Sequence, residues 1–253
     1  MNAVKKFAFN TVLPAIGALR RNCNNYVNVI YYHDIVKSGG GTSQRINISL
    51  FKKQMLYLKN KGYKTLSFDE IENGADINFE KGKILITFDD GWHSNYTLIF
   101  DFMKQHGIKY NIFLAAAKID NDPEYLTWDM VNKMHASSIV GFGAHTYSHP
   151  DMQNISDSDI NYEIVKSNNI IFEKTGMKPH DFCFPYGKYS DKVLNYILEN
   201  TDYTRIYTSD MRYSYSKNNK IVFGRSSINS DYPFKTFRHM VKGDYGIYSS
   251  FRG

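Results

Sequence analysis

Cysteine is nearly absent: the 253 residues hold two, Cys23 and Cys183. Two thiols make no disulfide framework, and these lack the paired spacing of a zinc–thiolate site. Long apolar runs are missing too. The stretch FAFNTVLPAIGAL (7–19) is interrupted by Asn10 and Pro14 and falls short of the roughly 20 residues that span a bilayer. No block of like charge occurs. The 31 Lys and Arg exceed the 25 Asp and Glu by +6, but they are spread along the chain, which favours a solvated surface over nucleic-acid binding. Internal repeats and low-complexity linkers are absent, and 253 residues is a common length for one α/β domain.

With 42% hydrophobic and 22% charged residues, the chain has a globular composition. Its 20 Tyr, 17 Phe and 2 Trp supply a core, and a sugar-binding cleft would use the same side chains as stacking platforms. Lys5 and Lys6 precede the 7–19 stretch and Arg20 and Arg21 follow it. Its length suits a signal-peptide core. The basic pair behind it and the lack of a small-x-small cleavage site favour an uncleaved segment, packed on the domain or resting on a membrane surface. The expected organisation is a basic and apolar segment, 1–24, and one folded domain, 25–253. The expected location is cytoplasmic, with peripheral membrane contact through 1–24; export through an uncleaved or weak signal segment is the alternative.

From residue 25 onward, β-rich runs alternate with helical patterns. Strands are expected at 27–32, 64–68, 83–88, 110–116, 138–145, 181–185, 204–209 and 220–228. Helices are expected at 49–63 (capped by Ser49 and stopped by Gly62), 94–107, 127–135, 156–176, 190–200 and about 233–242. Such alternation predicts an α/β fold with a parallel sheet, and about seven units would close into a (β/α) barrel. Barrel chemistry sits at the C-terminal ends of the strands.

Polar clusters stand at those ends. Asp89 and Asp90 follow KILITF, His145 and His149 follow SIVGFGA, His33 follows VNVIYY, and the FPYG turn (184–187) ends a fourth strand. Two adjacent carboxylates at the end of a buried strand repel each other. A divalent cation resolves this: one Asp binds it and the other stays beside it as a base. Histidines four apart, with a carboxylate as third ligand, leave coordination positions open for water and substrate, as a catalytic metal requires.

TFDDG (87–91), HTYSH (145–149) and FPYG (184–187), in that order, resemble the polysaccharide deacetylases: carbohydrate esterase family 4, or the NodB homology domain. The resemblance covers roughly 27–230 and includes YLTWDMV (125–131). It implies a distorted, NodB-like barrel that hydrolyses the N-acetyl group of a GlcNAc-like sugar with a divalent metal, usually zinc, with cobalt or nickel as alternatives. It implies Asp89 as general base, Asp90, His145 and His149 as metal ligands, and the Tyr186 N–H as an oxyanion donor.

Two motifs depart from the family. Many members carry an Arg, near the start of the Pro-Tyr-Gly motif, that tethers the base; here Cys183 stands in its place. Many members have a late motif ending in His; here the late strand reads FGRSSI (223–228), and the remaining late histidine, His239, lies in a helical stretch. His33 is similarly placed to the acid of the rearranged branch that deacetylates biofilm poly-GlcNAc. It is the candidate general acid, a capping or buried histidine being the alternative. Arg225 is the candidate replacement tether, with a purely structural ion pair as its alternative. Trp92, Trp128 and Tyr147 either stack on sugar or pack in the core. Thr146 and Ser148 shape the loop between the ligands, and His93 has no assigned role. His106, His135 and His180 read as surface residues, and Cys183 as a buried strand residue.

The implied function is removal of N-acetyl groups from a cell-envelope or surface polysaccharide, or from its precursor, so the expected partner is a carbohydrate. The alternatives are a related amidase or esterase on a formyl or O-acetyl substrate, and a non-catalytic carbohydrate-binding module.

Overall fold

A computed structural model describes residues 27–39, 42–71, 82–212 and 214–244, together with Thr11. The 1–24 segment, Thr11 apart, and Cys23 lie outside these described residues. Among the described residues the strands are β1 (Asn28–Tyr32), β2 (Asp34–Val36), β3 (Arg45–Asn47), β4 (Lys64–Leu66), β5 (Lys83–Phe88), β6 (Tyr110–Leu114), β7 (Val140–Ala144), β8 (Asp181–Cys183), β9 (Arg205–Tyr207), β10 (Tyr215–Lys217), β11 (Lys220–Phe223) and β12 (Ser226–Ser227). The helices are α1 (Ile48–Asn60), α2 (Ser94–Thr97), α3 (Phe100–His106), α4 (Trp128–His135), α5 (Asp157–Thr175), α6 (Asp191–Asn200) and α7 (Phe234–Met240).

The sheet runs β10-β11-β9-β8-β7-β6-β5-β1-β12, with β4 beside β5. Every pairing in it is parallel except β10 with β11. Every residue of β1, β6 and β7 is buried, which is why these strands read as apolar runs without alternation. The expected strand 220–228 is broken in two. Its first part, β11, pairs with β9, and its second, β12, pairs with β1. One chain segment therefore supplies the last strand at one end of the sheet and the next-to-last at the other, and the sheet curls into a distorted, barrel-like form. The break falls at Gly224, where a Cβ would sit 2.1 Å from the Arg212 carbonyl oxygen; no other residue fits there.

Other local expectations also change. The cap of α1 is Asn47, whose side chain accepts the Ser49 N–H, so Ser49 is the capped residue and not the cap. The expected 94–107 helix is two helices, because Leu98 and Ile99 leave helical φ (−108° and −121°) as Ile99 enters the core. Trp128 is core, 7% exposed. Among the described residues, no helix is long and apolar enough to cross a membrane.

Candidate active site

Because the main strands are parallel, their C-terminal ends lie on one side. Tyr32 hands on to His33, Phe88 to Asp89 and Asp90, Ala144 to His145, and Cys183 to the Pro185–Gly187 turn. Several of these exits bend sharply. Asp90 (φ 74°), Thr146 (φ 63°), His149 (φ 64°) and Tyr186 (φ 56°) all adopt the left-handed conformation. Strain of about 1–3 kcal/mol at each is the kind that functional sites carry.

The exits converge on a cavity of about 100 Å³ lined by His33, Asp89, Asp90, His145, His149 and Tyr186. Tyr31, Gln44, Gly187 and Ser209 complete it. All the expected site residues except Arg225 thus share one cavity, and Arg225 lies directly beneath it. Tyr31, Gln44 and Ser209 were not anticipated. Tyr31 could have been, since in an extended strand it shares a face with His33, two positions on.

Asp90 Oδ1 lies 3.0 Å from His149 Nε2 and 3.5 Å from His145 Nε2. It is buried and has no hydrogen-bond partner among the described residues. His145 Nδ1 is 2.8 Å from the Cys183 carbonyl oxygen. A carbonyl only accepts, so Nδ1 carries the proton, and a neutral ring turns its Nε2 lone pair toward Asp90. Trp92 Nε1 donates to the other Asp90 oxygen at 3.0 Å. Three lone-pair atoms within 4.8 Å of one another, one of them an orphaned buried oxygen, fit a divalent cation. Burial raises the Asp90 carboxyl; when the two rings carry a second proton, their hydrogen bonds and charge outweigh burial and hold the carboxyl well below its usual range, and with neutral rings a bound cation would have to supply that charge. Asp89, His145 and Cys183 also cluster. The Asp89 oxygens there already accept from Arg225, and His145 Nδ1 is already spent on the carbonyl.

Asp89 has a different environment one residue away. Arg225 grips it with two bonds, Nη1–Oδ1 at 2.7 Å and Nη2–Oδ2 at 2.9 Å. Arg225 is itself fully buried and donates to the Thr208 carbonyl (3.0 Å), Thr87 Oγ1 (3.2 Å) and Cys183 Sγ (3.0 Å). Its guanidinium carbon lies 4.2 Å from the centre of the Tyr31 ring. Burial would raise the Asp89 carboxyl, yet the Arg225 charge wins and lowers it, so Asp89 is ionised at neutral pH. Cys183 is buried, and burial pushes its thiol up. It fills the place where an Arg was expected, with Arg225 reaching the base from β11–β12 instead.

His33 Nε2 is 4.0 Å from Asp89 Oδ2, and its carbonyl accepts from Asn95 Nδ2 at 3.2 Å. Tyr186 stands over His149, ring centres 4.5 Å apart, and is 67% exposed. Trp92 stacks on Tyr125 at 4.7 Å. His93 lines a separate groove with Asp34 and Glu124. Contrary to the surface reading, His106, His135 and His180 are half-buried. His106 Nδ1 meets the Phe102 carbonyl, while His135 and His180 line a cavity with Asp181 and Arg205, at the N-terminal ends of β8 and β9 and away from the site. His239 pairs with Asp244 at 2.7 Å. Chemically, the arrangement sets an ionised carboxylate beside three groups that could hold a cation, with His33 4.0 Å from that carboxylate, which suits metal-assisted hydrolysis.

The family model for polysaccharide deacetylase matches residues 76–206. YxkH of Bacillus subtilis is 26% identical over 181 residues, covering 69% of this chain and 61% of that protein. The peptidoglycan-N-acetylglucosamine deacetylase of Bacillus cereus is 29% identical over 122 residues, covering 48% of this chain and 42% of that protein. The chain therefore spans less than two thirds of either relative's length. Among solved structures, the deacetylase PplD of Streptococcus pyogenes, in complex with acetate, superposes with a TM-score of 0.77 at 20% identity, covering 86% of this chain and 99% of that one; the two share the fold.

Proposed function

The chain belongs to the polysaccharide deacetylase family, and on that premise we propose that it removes N-acetyl groups from GlcNAc-type units of a cell-envelope or surface polysaccharide by metal-dependent hydrolysis. The observation that carries the reading is the division of labour between adjacent carboxylates. Asp90 groups with His145 and His149 in a set that could hold a cation, and Asp89 is held ionised beside it by Arg225.

Asp90, His145 and His149 would hold the divalent ion, zinc first, with cobalt or nickel as alternatives. That ion supplies Lewis acidity toward a carbonyl and a bound water. Asp89 takes a proton from the attacking water, and Arg225 keeps its two oxygens oriented for this. The Tyr186 N–H donates to the developing oxyanion, at a turn whose left-handed residue turns the chain beside His149. His33, across Asp89, gives a proton to the departing amine, which is a poor leaving group without one. Acetate and an amino sugar leave. The basic and apolar 1–24 segment fits the same proposal as a peripheral contact with the cytoplasmic face of a membrane.

The test combines metal analysis of the purified protein with acetate release from N-acetylglucosamine oligomers. Asp89→Asn should keep the metal and lose turnover at least 100-fold, on the order expected for a general base. His145→Ala should lose both. Retained activity in either variant overturns the assignment, and preference for a formyl or O-acetyl substrate would change the acyl group.

A further inference from the structure

The two histidine ligands are joined by Thr146, Tyr147 and Ser148, and this bridge is gripped from outside the barrel. Glu163, on α5, is 6% exposed. Its Oε2 accepts the backbone N–H of Tyr147 at 2.9 Å and of Ser148 at 2.7 Å, and its Oε1 accepts the Ser148 hydroxyl at 2.6 Å. Among the described residues no Lys, Arg or His lies within ion-pair distance of it. A buried carboxylate without a cation is unfavourable unless hydrogen bonds replace its hydration. Here all three bonds come from one loop, whose successive N–H groups form an anion-binding concavity.

The rest of the loop is tied down on its other side. Ala116 N–H donates to the Thr146 carbonyl (3.2 Å) and Ala117 N–H to the Tyr147 carbonyl (2.8 Å), both from the segment after β6. The His149 N–H donates to Thr146 Oγ1 at 3.1 Å. Thr146 and His149, at the two bends, are both left-handed. The His149–Thr146 bond ties the two bends to each other, and the contacts from Ala116, Ala117 and Glu163 hold the loop from outside. α5 itself is anchored by buried Ile160, Ile164 and Ile171, so its docking does not depend on Glu163.

We propose that Glu163 is a positioning residue for the metal centre: by clamping Tyr147 and Ser148, it sets the separation and orientation of the His145 and His149 Nε2 atoms. The inference rests on the reading above, in which these histidines hold a divalent ion.

The test compares Glu163→Ala with Glu163→Gln in the full chain, measuring Zn2+ affinity by chelator competition and the visible spectrum of the Co2+-loaded protein. Glutamine can offer its oxygen to both N–H groups and its NH2 to Ser148 Oγ, so a geometric clamp should survive. Glu163→Ala should weaken Zn2+ binding about 10- to 100-fold, as loss of an outer support typically does, and should shift the Co2+ spectrum. Glu163→Gln should stay within about threefold of the parent and keep its spectrum. Should Glu163→Ala not fold, Glu163→Asp, one methylene shorter, carries the same comparison. Parental affinity and spectrum in the shortened variant overturn the clamp while leaving the function standing. A parent that binds neither ion overturns both.

Discussion

Asp89 and Asp90 are neighbours in sequence with different electrostatic partners, and Arg225 makes the difference. For Asp89, the depressed carboxyl stabilises the fold at pH values above the ordinary carboxylate value of about 3.9, and that stability is lost as pH falls through the folded value. Arg225→Gln removes the opposing charge and leaves burial unopposed, so the Asp89 carboxyl should move above its ordinary value. The sign then reverses: the variant's stability should fall as pH rises from about 4 toward neutrality. At neutral pH the loss should be about 3–5 kcal/mol, the usual result of stranding one partner of a buried pair. Denaturant unfolding of parent and variant at both pH values checks this, and a pH-independent difference would mean that Asp89 is not the group responsible. Cys183 makes the swap sterically intelligible. A small side chain on β8 leaves room for a guanidinium arriving from the other side, with Sγ in contact at 3.0 Å.

That guanidinium arrives through an element that the sequence pattern hides. KIVFGRSSI reads as one strand, but the chain bends at Gly224 between β11 and β12, and the bend aims Arg225 inward beneath the site. A methyl at Gly224 would strike the Arg212 carbonyl oxygen at 2.1 Å and the Asp210 carbonyl oxygen at 2.9 Å. Gly224→Ala should therefore destabilise by about 1–3 kcal/mol and displace Arg225, so its activity loss should resemble that of an Arg225 variant while its bound metal stays. Metal content and acetate release on one preparation test this; loss of metal would show that the bend supports the other half of the site. The buried strands were legible because both faces are apolar, and His33, Asp89, Asp90, His145 and His149 were legible because polar residues stood directly after such runs. The bend was not, because it depends on carbonyls distant in sequence. The β10–β11 hairpin was missed because its turn is Asn218-Asn219, both at positive φ, where Gly is the usual signal. Glu163 was missed because a charged residue inside an amphipathic helix is ordinarily read as part of its solvated face, and only the fold shows its carboxylate turned toward another loop.

For the whole molecule, parallel strand order converts sequence distance into proximity. Residues 33, 89, 90, 145, 149 and 186 meet in one cavity because β1, β5, β7 and β8 leave the barrel on one side, and 225 lies directly beneath because the break between β11 and β12 places it there. The three proposed cation ligands come from two of those exits, so their spacing exists only while β5 and β7 are held in register, each against β6. An ion that binds this site binds the folded chain and not the unfolded one. At 100 times its dissociation constant it should add about 2.7 kcal/mol of stability. For a domain of this size that corresponds to a rise of about 5–10 °C in melting temperature. The rise should vanish on chelation and in His149→Ala, which removes a ligand. It should persist in Asp89→Asn, where the three ligands are intact and only the base is lost. Thermal melts with added Zn2+ and with chelator measure all three cases. An equal rise in His149→Ala would place the ion elsewhere on the molecule, and a lost rise in Asp89→Asn would make Asp89 a ligand as well as a base.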